Sequence, residues 1–382
     1  MKKKVYTAIG LMSGTSMDGI DLSLIKSDGY NELACILNNY YEFDHQLKEK
    51  LINLRSKIDE QQDLLRYSNE INNLDEEITL FHGEIVNKTL IKTNEKVDFI
   101  GFHGQTIYHN PAKKISKQIG NGNLLSKITK KVVINNFRLN DLENEGQGAP
   151  LTPIYHKIIT KIISKKNKIN YPMNVINIGG IANITHVSND KELVDKNLQA
   201  FDIGPGNCLI DKWIRRNSKL KFDESGNIAK NGKINELIAN QAKDNFIIKS
   251  YDKSLDIKDF DLSFIRGLPF EDACATITDF TAHLISQGIK YVNDITTGND
   301  EIFLLCGGGR KNIFLIELIK GYLSKTKIKL INIDDYGFDG DFIESQAFGY
   351  LAIRSLLNLP ISFPETTGCR SPITGGILVN NF

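Results

Sequence analysis

The sequence predicts an α/β protein of two halves, and three observations carry the prediction. A short apolar run at 5–11 breaks into the polar cluster 13–18 and resumes at 20–25, the pattern of strand, tight loop, strand. The layout returns at 175–178, Gly179-Gly180 and 181–185, with Gly179 lying 165 positions after Gly14, which reads as an internal duplication. A third apolar run, 302–306, ends on Gly307-Gly308-Gly309. Length agrees with two halves: the chain has 382 residues, and single cores stop growing near roughly 250–300.

The remaining elements follow from periodicity. From 47 to 96 apolar residues recur three and four apart (Leu51, Leu54, Ile58; Ile78, Phe81, Ile85), as on amphipathic helices. Residues 97–102 form a brief buried-type strand that runs into His103-Gly104-Gln105-Thr106, and 132–135 form another before Phe137 and Arg138. Helical patterns cover 272–288, 312–323 and 344–357. No linker or low-complexity tract separates the halves, so tightly joined domains with a cleft between them are expected. The expected division is 1–135 with about 345–382, and 136–344.

Composition narrows the function. With 47 basic and 46 acidic side chains the formal net charge is +1, which offers nothing for nucleic acid or an anionic membrane to recognise. Five scattered cysteines without a CxxC pair fit neither a zinc site nor a disulfide framework, and free thiols in a reducing cytosol are expected. The basic start Lys2-Lys3-Lys4 is not followed by a continuous apolar stretch, and no run approaches the roughly 18–20 apolar residues of a spanning helix. A soluble cytoplasmic protein is expected.

The first loop carries Gly14, Thr15, Ser16, Asp18, Gly19 and Asp21. Glycines let backbone N–H groups approach an anion and hydroxyls add donors, so the loop suits phosphate. Asp18 and Asp21 are candidates for a Mg²⁺ held through water beside those phosphates; an ordinary Gly/Ser turn is the plain alternative. Asn177-Ile178-Gly179-Gly180-Ile181-Ala182-Asn183 is a second cradle, and Gly307-Gly308-Gly309-Arg310-Lys311-Asn312 a third glycine loop. Neither GxxxxGK[ST] nor a strand-linked GxGxxG occurs, which counts against P-loop and Rossmann folds. Asp202, followed by Gly204-Pro205-Gly206, is expected on a rigid turn where it could serve as a general base or merely hold the turn. His103, Gln105, Thr106, Arg138 and Gln147 supply directional donors and acceptors suited to a sugar. His103 reads equally well as a hydrogen-bonded core histidine.

The three glycine loops resemble the two phosphate loops and the adenosine loop of the actin/hexokinase/Hsp70 ATPases. Taken with GFHGQTIYH at 101–109, GQGAPLTP at 146–153, FDIGPGN at 201–207 and ESQAF at 344–348, they resemble the anhydro-N-acetylmuramic acid kinase family across nearly the whole chain. That resemblance implies a two-domain actin-like ATPase (ribonuclease H-like) fold with an interdomain cleft. It further implies ATP and Mg²⁺ as cofactors, and a small sugar as substrate. In this reading Asp202 is the catalytic base. Gly14 to Asp21, Gly179, Gly180, Asn183, Gly307, Gly308 and Asn312 face the nucleotide. His103, Gln105, Thr106, Arg138, Gln147 and Gly204 face the sugar. A homodimer is the one assembly kept open. The chain departs from the family pattern at Glu143, Asn144 and Glu145, and at Phe338-Asp339-Gly340-Asp341, where prolines are usual.

The implied reaction couples two steps. O6 of the anhydro sugar is bridged to C1 and has no proton, so Asp202 would activate a water against C1, as in an inverting glycosidase. O6, freed as C1–O6 breaks, would then take the γ-phosphoryl group. Another sugar kinase of the same fold and a non-catalytic sugar-sensing ATPase-fold protein are the alternatives. An aspartic hydrolase is excluded by the lack of a second Asp-Ser/Thr-Gly-like half.

Overall fold

The computed structural model describes residues 3–191, 197–246, 251, 255, 257–295 and 301–382. Its strands are β1 (Tyr6–Ser13), β2 (Gly19–Ser27), β3 (Leu33–Glu42), β4 (Phe99–Asn110), β5 (Ile115–Ile119), β6 (Val132–Asn135), β7 (Met173–Ile178), β8 (Ile181–Val187), β9 (Leu198–Pro205), β10 (Ile302–Cys306), β11 (Lys329–Asn332) and β12 (Ile377–Val379). The chain divides into two compact units, 1–158 with 342–382, and 159–341.

Both units use one sheet plan. In the first the order is β12-β6-β4-β1-β2-β3, with β5 added to β4. β1, β2 and β3 pair antiparallel, while β1, β4 and β6 run parallel. In the second the order is β11-β10-β7-β8-β9, with β7, β8 and β9 antiparallel and β7, β10 and β11 parallel. Three antiparallel strands flanked by two parallel ones, twice over, is the duplicated ribonuclease H-like sheet of a two-domain ATPase fold. The duplication expected from the repeated loop is therefore a duplication of the whole sheet.

Each sheet buries its central strands under helices. In the first unit Ile9, Leu11, Ile20 and Leu22 pack with Leu51, Leu54 and Ile78 from the helices His45–Lys57 and Ser68–Lys92. The other face of β1 carries the helix Ile343–Leu356. That approach is close: a Cβ on Gly10 would lie 1.9 Å from the Ser345 carbonyl, and one on Gly101 2.2 Å from that of Phe348. These two glycines are partners across β1 and β4, so the sheet offers the helix a side-chain-free groove. In the second unit Ile176, Ile184, Ile203 and Phe303 pack with Ile285, Ile289, Leu315 and Ile319.

The structure differs from the sequence expectations in three places. β4 runs on through 103–110 because β5 pairs with it there, so His103 to Thr106 lie within a strand and not beyond its end. Asp202 lies inside β9 and not on the following turn. The first unit continues past 135 to 158, because Arg138 bonds His103 on β4 and the Tyr155 hydroxyl donates to Gln346 at 2.6 Å.

Candidate active site

The first loop joins β1 to β2 and is braced from beneath. The Ser13 hydroxyl donates to Gln105 Oε1 at 2.6 Å, and Gln105 Nε2 donates to the Gly14 carbonyl at 3.1 Å. Met17 N–H donates to the same carbonyl at 3.2 Å, with Met17 in the left-handed region at φ 53°. The opposite side is open. A Cβ on Gly14 would meet nothing nearer than Ser16 Oγ at 3.9 Å, and Gly14 lacks a positive φ. Neither packing nor backbone conformation requires a glycine there, whereas close approach of a ligand does. Asp18 accepts from the Ser16 hydroxyl at 2.6 Å.

A metal ion would fit beside this loop. Burial, and then the neighbouring carboxylates of Asp18, Glu42 and Asp21, push the Tyr40 phenol above its ordinary range, the mark of a negative potential. No group of three or more His, Cys, Asp or Glu side chains suited to a metal occurs among the described residues. Asp18 on the loop and Asp21 on β2 just after it are two carboxylates, and Mg²⁺ is commonly bound by one or two carboxylates together with water and phosphate oxygens.

His103 and Arg138 form a second cluster in this unit. His103 Nδ1–H donates to the Gly104 carbonyl at 2.8 Å, leaving Nε2 to accept from Arg138 Nε at 3.1 Å and Nη2 at 3.0 Å. Burial, with help from the Arg138 charge, holds His103 well below its ordinary pKa, so it is neutral. Both ring nitrogens are thus hydrogen-bonded within the first unit, and Nε2 holds the Arg138 guanidinium. The guanidinium also donates to the Gly148 carbonyl at 2.6 Å. Thr106 accepts from Gln118 at 3.1 Å, and the Gln147 N–H donates to the Thr367 carbonyl at 2.7 Å. Gln105 is fully buried, with its amide committed to the first loop.

The second unit presents the second loop beside Asp202. Asn207 N–H donates to the Gly179 carbonyl at 2.7 Å, and Gly206 N–H to that of Gly180 at 2.9 Å. Because a trans peptide points its C=O and N–H in opposite directions, the Gly180 N–H faces away from this anchor. A Cβ on Gly179 would have open space, with nothing nearer than 3.6 Å. β8 and β9 slip register between Ala182 and Asn183, so Asn183 pairs with Asp202 and Ile203 bulges. Gly204, at φ 147°, completes the bulge against Leu284. Bulges of this kind re-aim a side chain next to a site.

Asp202 is half-buried and accepts the Leu255 N–H at 2.9 Å. Burial outweighs that hydrogen bond and lifts its pKa from 3.8 to about 6. A carboxylate of this basicity is ionised at neutral pH yet takes a proton readily, as a general base must.

The third loop follows β10. A Cβ on Gly308 would meet only Asn207 Nδ2 at 3.8 Å, whereas Gly307 and Gly309 would collide with Asn177 and Ile178. Asn312 caps the helix Ile313–Tyr322, its Oδ1 accepting from Leu315 N–H at 2.9 Å.

Comparison with known proteins decides the family. The family model for anhydro-N-acetylmuramic acid kinase matches residues 6–381. This chain belongs to the anhydro-N-acetylmuramic acid kinase family. The anhydro-N-acetylmuramic acid kinase of Pelagibacter ubique is 51% identical over 382 residues, covering 100% of both chains. The protein of that name from Agrobacterium fabrum is 35% identical, covering 98% of this chain and 99% of its own. Among solved structures, the activator of the 2-hydroxyisocaproyl-CoA dehydratase from Clostridium difficile with bound ADPNP has a TM-score of 0.42 at 13% identity, covering 91% of this chain and 94% of its own.

Sequence reasoning passed over two supports of this kinase-family site. Ser13 fixes Gln105, and only its strand register shows that. Arg310, buried at the third loop, donates to Asp334 at 2.9 Å and to Asp341. Asp341 belongs to the segment where the family's prolines are usual, and Gly340 there packs against the guanidinium, 2.6 Å from a would-be Cβ. That departure supplies an ion pair. The other departure does likewise, since Glu145 pairs with Arg370.

Proposed function

We propose that this chain uses ATP to open 1,6-anhydro-N-acetylmuramic acid with water and phosphorylates its O6. The products are N-acetylmuramic acid 6-phosphate and ADP, in recycling of bacterial cell wall. The observation that carries the mechanism is Asp202, a carboxylate re-aimed by a bulge and raised in basicity by burial.

In the proposed reaction Asp202 takes one proton from a water as its oxygen bonds to C1 and the C1–O6 bond breaks. The electron pair left on O6 attacks the γ-phosphorus, and the bond to the β-phosphate oxygen breaks to release ADP. The water's other proton stays on the new C1 hydroxyl, and because O6 takes the phosphoryl group as the C1–O6 bond breaks, no free alkoxide forms. The amides about Gly14 and Gly179 hold phosphate oxygens, and Arg138 with Thr106 and Gln147 orient the sugar. Mg²⁺ beside Asp18 and Asp21 would neutralise phosphate charge.

A cytoplasmic setting, where ATP is at hand, fits this reading. In its support, none of the five cysteines is joined in a disulfide, and no helix among the described residues is long and apolar enough to cross a membrane.

A substrate panel tests the proposal. ADP release should depend on 1,6-anhydro-N-acetylmuramic acid and be near background with glucose or N-acetylglucosamine. Equal turnover of an ordinary hexose would replace the proposal with a plain sugar kinase.

A further inference from the structure

We infer that Gln105 is a positioning residue for the nucleotide: a fully buried amide that sets the direction of the phosphate loop's backbone donors. The inference rests on the proposed role of the Gly14 loop in holding ATP phosphates.

Gln105 is 0% exposed and Ser13 only 2% exposed, so neither reaches a ligand. They are partners across β1 and β4, just past the register shift between Leu11 and Ser13. The amide orientation is dictated by chemistry. Its nitrogen faces two carbonyls, Gly14 at 3.1 Å and Thr106 at 3.4 Å, which can only accept; its oxygen faces the Ser13 hydroxyl at 2.6 Å. A satisfied buried polar network of this kind rigidifies what it touches.

What it touches is the Gly14 carbonyl. With that carbonyl turned inward, the trans Gly14–Thr15 peptide turns the Thr15 N–H outward. Thr15 is exposed and its N–H has no hydrogen-bond partner among the described residues. The open space at Gly14 clears the way for an incoming oxygen. Gln105 thus acts on the nucleotide through one peptide plane, and the sugar is not its ligand.

Gln105→Glu supplies the test. A carboxylate keeps the acceptor for Ser13 but opposes the Gly14 carbonyl. A protonated carboxyl restores both roles, as acceptor to Ser13 and donor to Gly14. Burial raises the pKa of such a group, bringing the switch within reach. Affinities of the full chain for MgADP and for the anhydro sugar are measured by calorimetry at about pH 8 and about pH 5.5. At the higher pH the variant should bind MgADP about tenfold more weakly than wild type, the equivalent of one lost hydrogen bond. At the lower pH it should return to within about threefold. Sugar affinity should be unchanged at both.

A loss of equal size at both pH values, no loss, or a loss confined to the sugar would each overturn the inference. Ser13→Ala, which frees the amide, should weaken MgADP about threefold without pH dependence relative to wild type. If Gln105→Glu fails to fold by circular dichroism, this second variant decides, and unchanged MgADP affinity overturns the inference. Wild-type protein that binds no MgADP would remove the nucleotide role of the loop itself, and Gln105's role with it, a result distinct from any failure of the variants.

Discussion

Asp202→Asn separates chemistry from stability in one protein. Asn matches Asp in size and its oxygen can still accept the Leu255 N–H, but it cannot take a proton from water at neutral pH. General-base catalysis contributes about 10²–10⁴-fold, and kcat should fall by at least that with ligand affinities retained. Stability should move the other way. The folded pKa of about 6 lies above the ordinary 3.8. Between those values the native protein holds a proton that the unfolded chain has released, so stability falls as pH rises through this window. At neutral pH the ionised carboxylate therefore costs stability, by roughly 3 kcal/mol for a shift of this size. Asp202 is half-buried, and solvent screening reduces that to about 1–2 kcal/mol. Asn carries no charge and escapes the cost. For a unit of this size each kcal/mol moves Tm by about 2–4 °C. Differential scanning calorimetry at about pH 7.5 should show the variant melting a few degrees above wild type, and at about pH 4 the gap should close. Near-wild-type kcat in the folded variant would remove Asp202 from the mechanism. A variant that melts lower at both pH values would refute the burial argument and leave Asp202 as a structural residue of β9.

Four further outcomes follow from the same geometry. The kcat of the wild-type protein should decline as pH falls below about 6, where Asp202 protonates; a rate that is flat from about pH 7.5 to 5 would contradict an ionised base. Gly14→Val should abolish nucleotide binding in calorimetry with little change in Tm, because a Cβ there meets nothing nearer than 3.9 Å; unchanged affinity would contradict the phosphate role of the loop. Asp18→Asn should lower Mg²⁺-dependent kcat more than nucleotide affinity, and equal loss of both would make Asp18 structural. Arg310→Ala leaves Asp334 and Asp341 without their buried cation and should cost about 1–3 kcal/mol, read as a lower Tm. An unchanged Tm would mean that the ion pairs contribute nothing.

The fold was legible where a pattern is local. The strand–loop–strand at Gly14 and its return at Gly179 marked the hairpins of both sheets, and the run at 302–306 became β10 as expected. What escaped was set by pairing between distant segments. β4 is extended by β5, which periodicity within β4 cannot show. Gln105 and Thr106 looked alike as polar residues at a strand end, yet alternation puts one wholly inside and the other partly accessible. Asn312 resembled a loop donor until its place before a helix made it a cap. Asp202 was singled out by residue type, whereas its basicity comes from burial and its direction from a bulge two strands wide.

The central claim is that one turnover adds both a water and a phosphoryl group to the same sugar. Mass spectrometry of the product formed from 1,6-anhydro-N-acetylmuramic acid and ATP tests it most directly. The account predicts a single sugar product heavier by one water and one phosphoryl group, appearing in step with ADP. A product that gained the phosphoryl group alone, or the water alone, or ADP formed without change in the sugar, would contradict it.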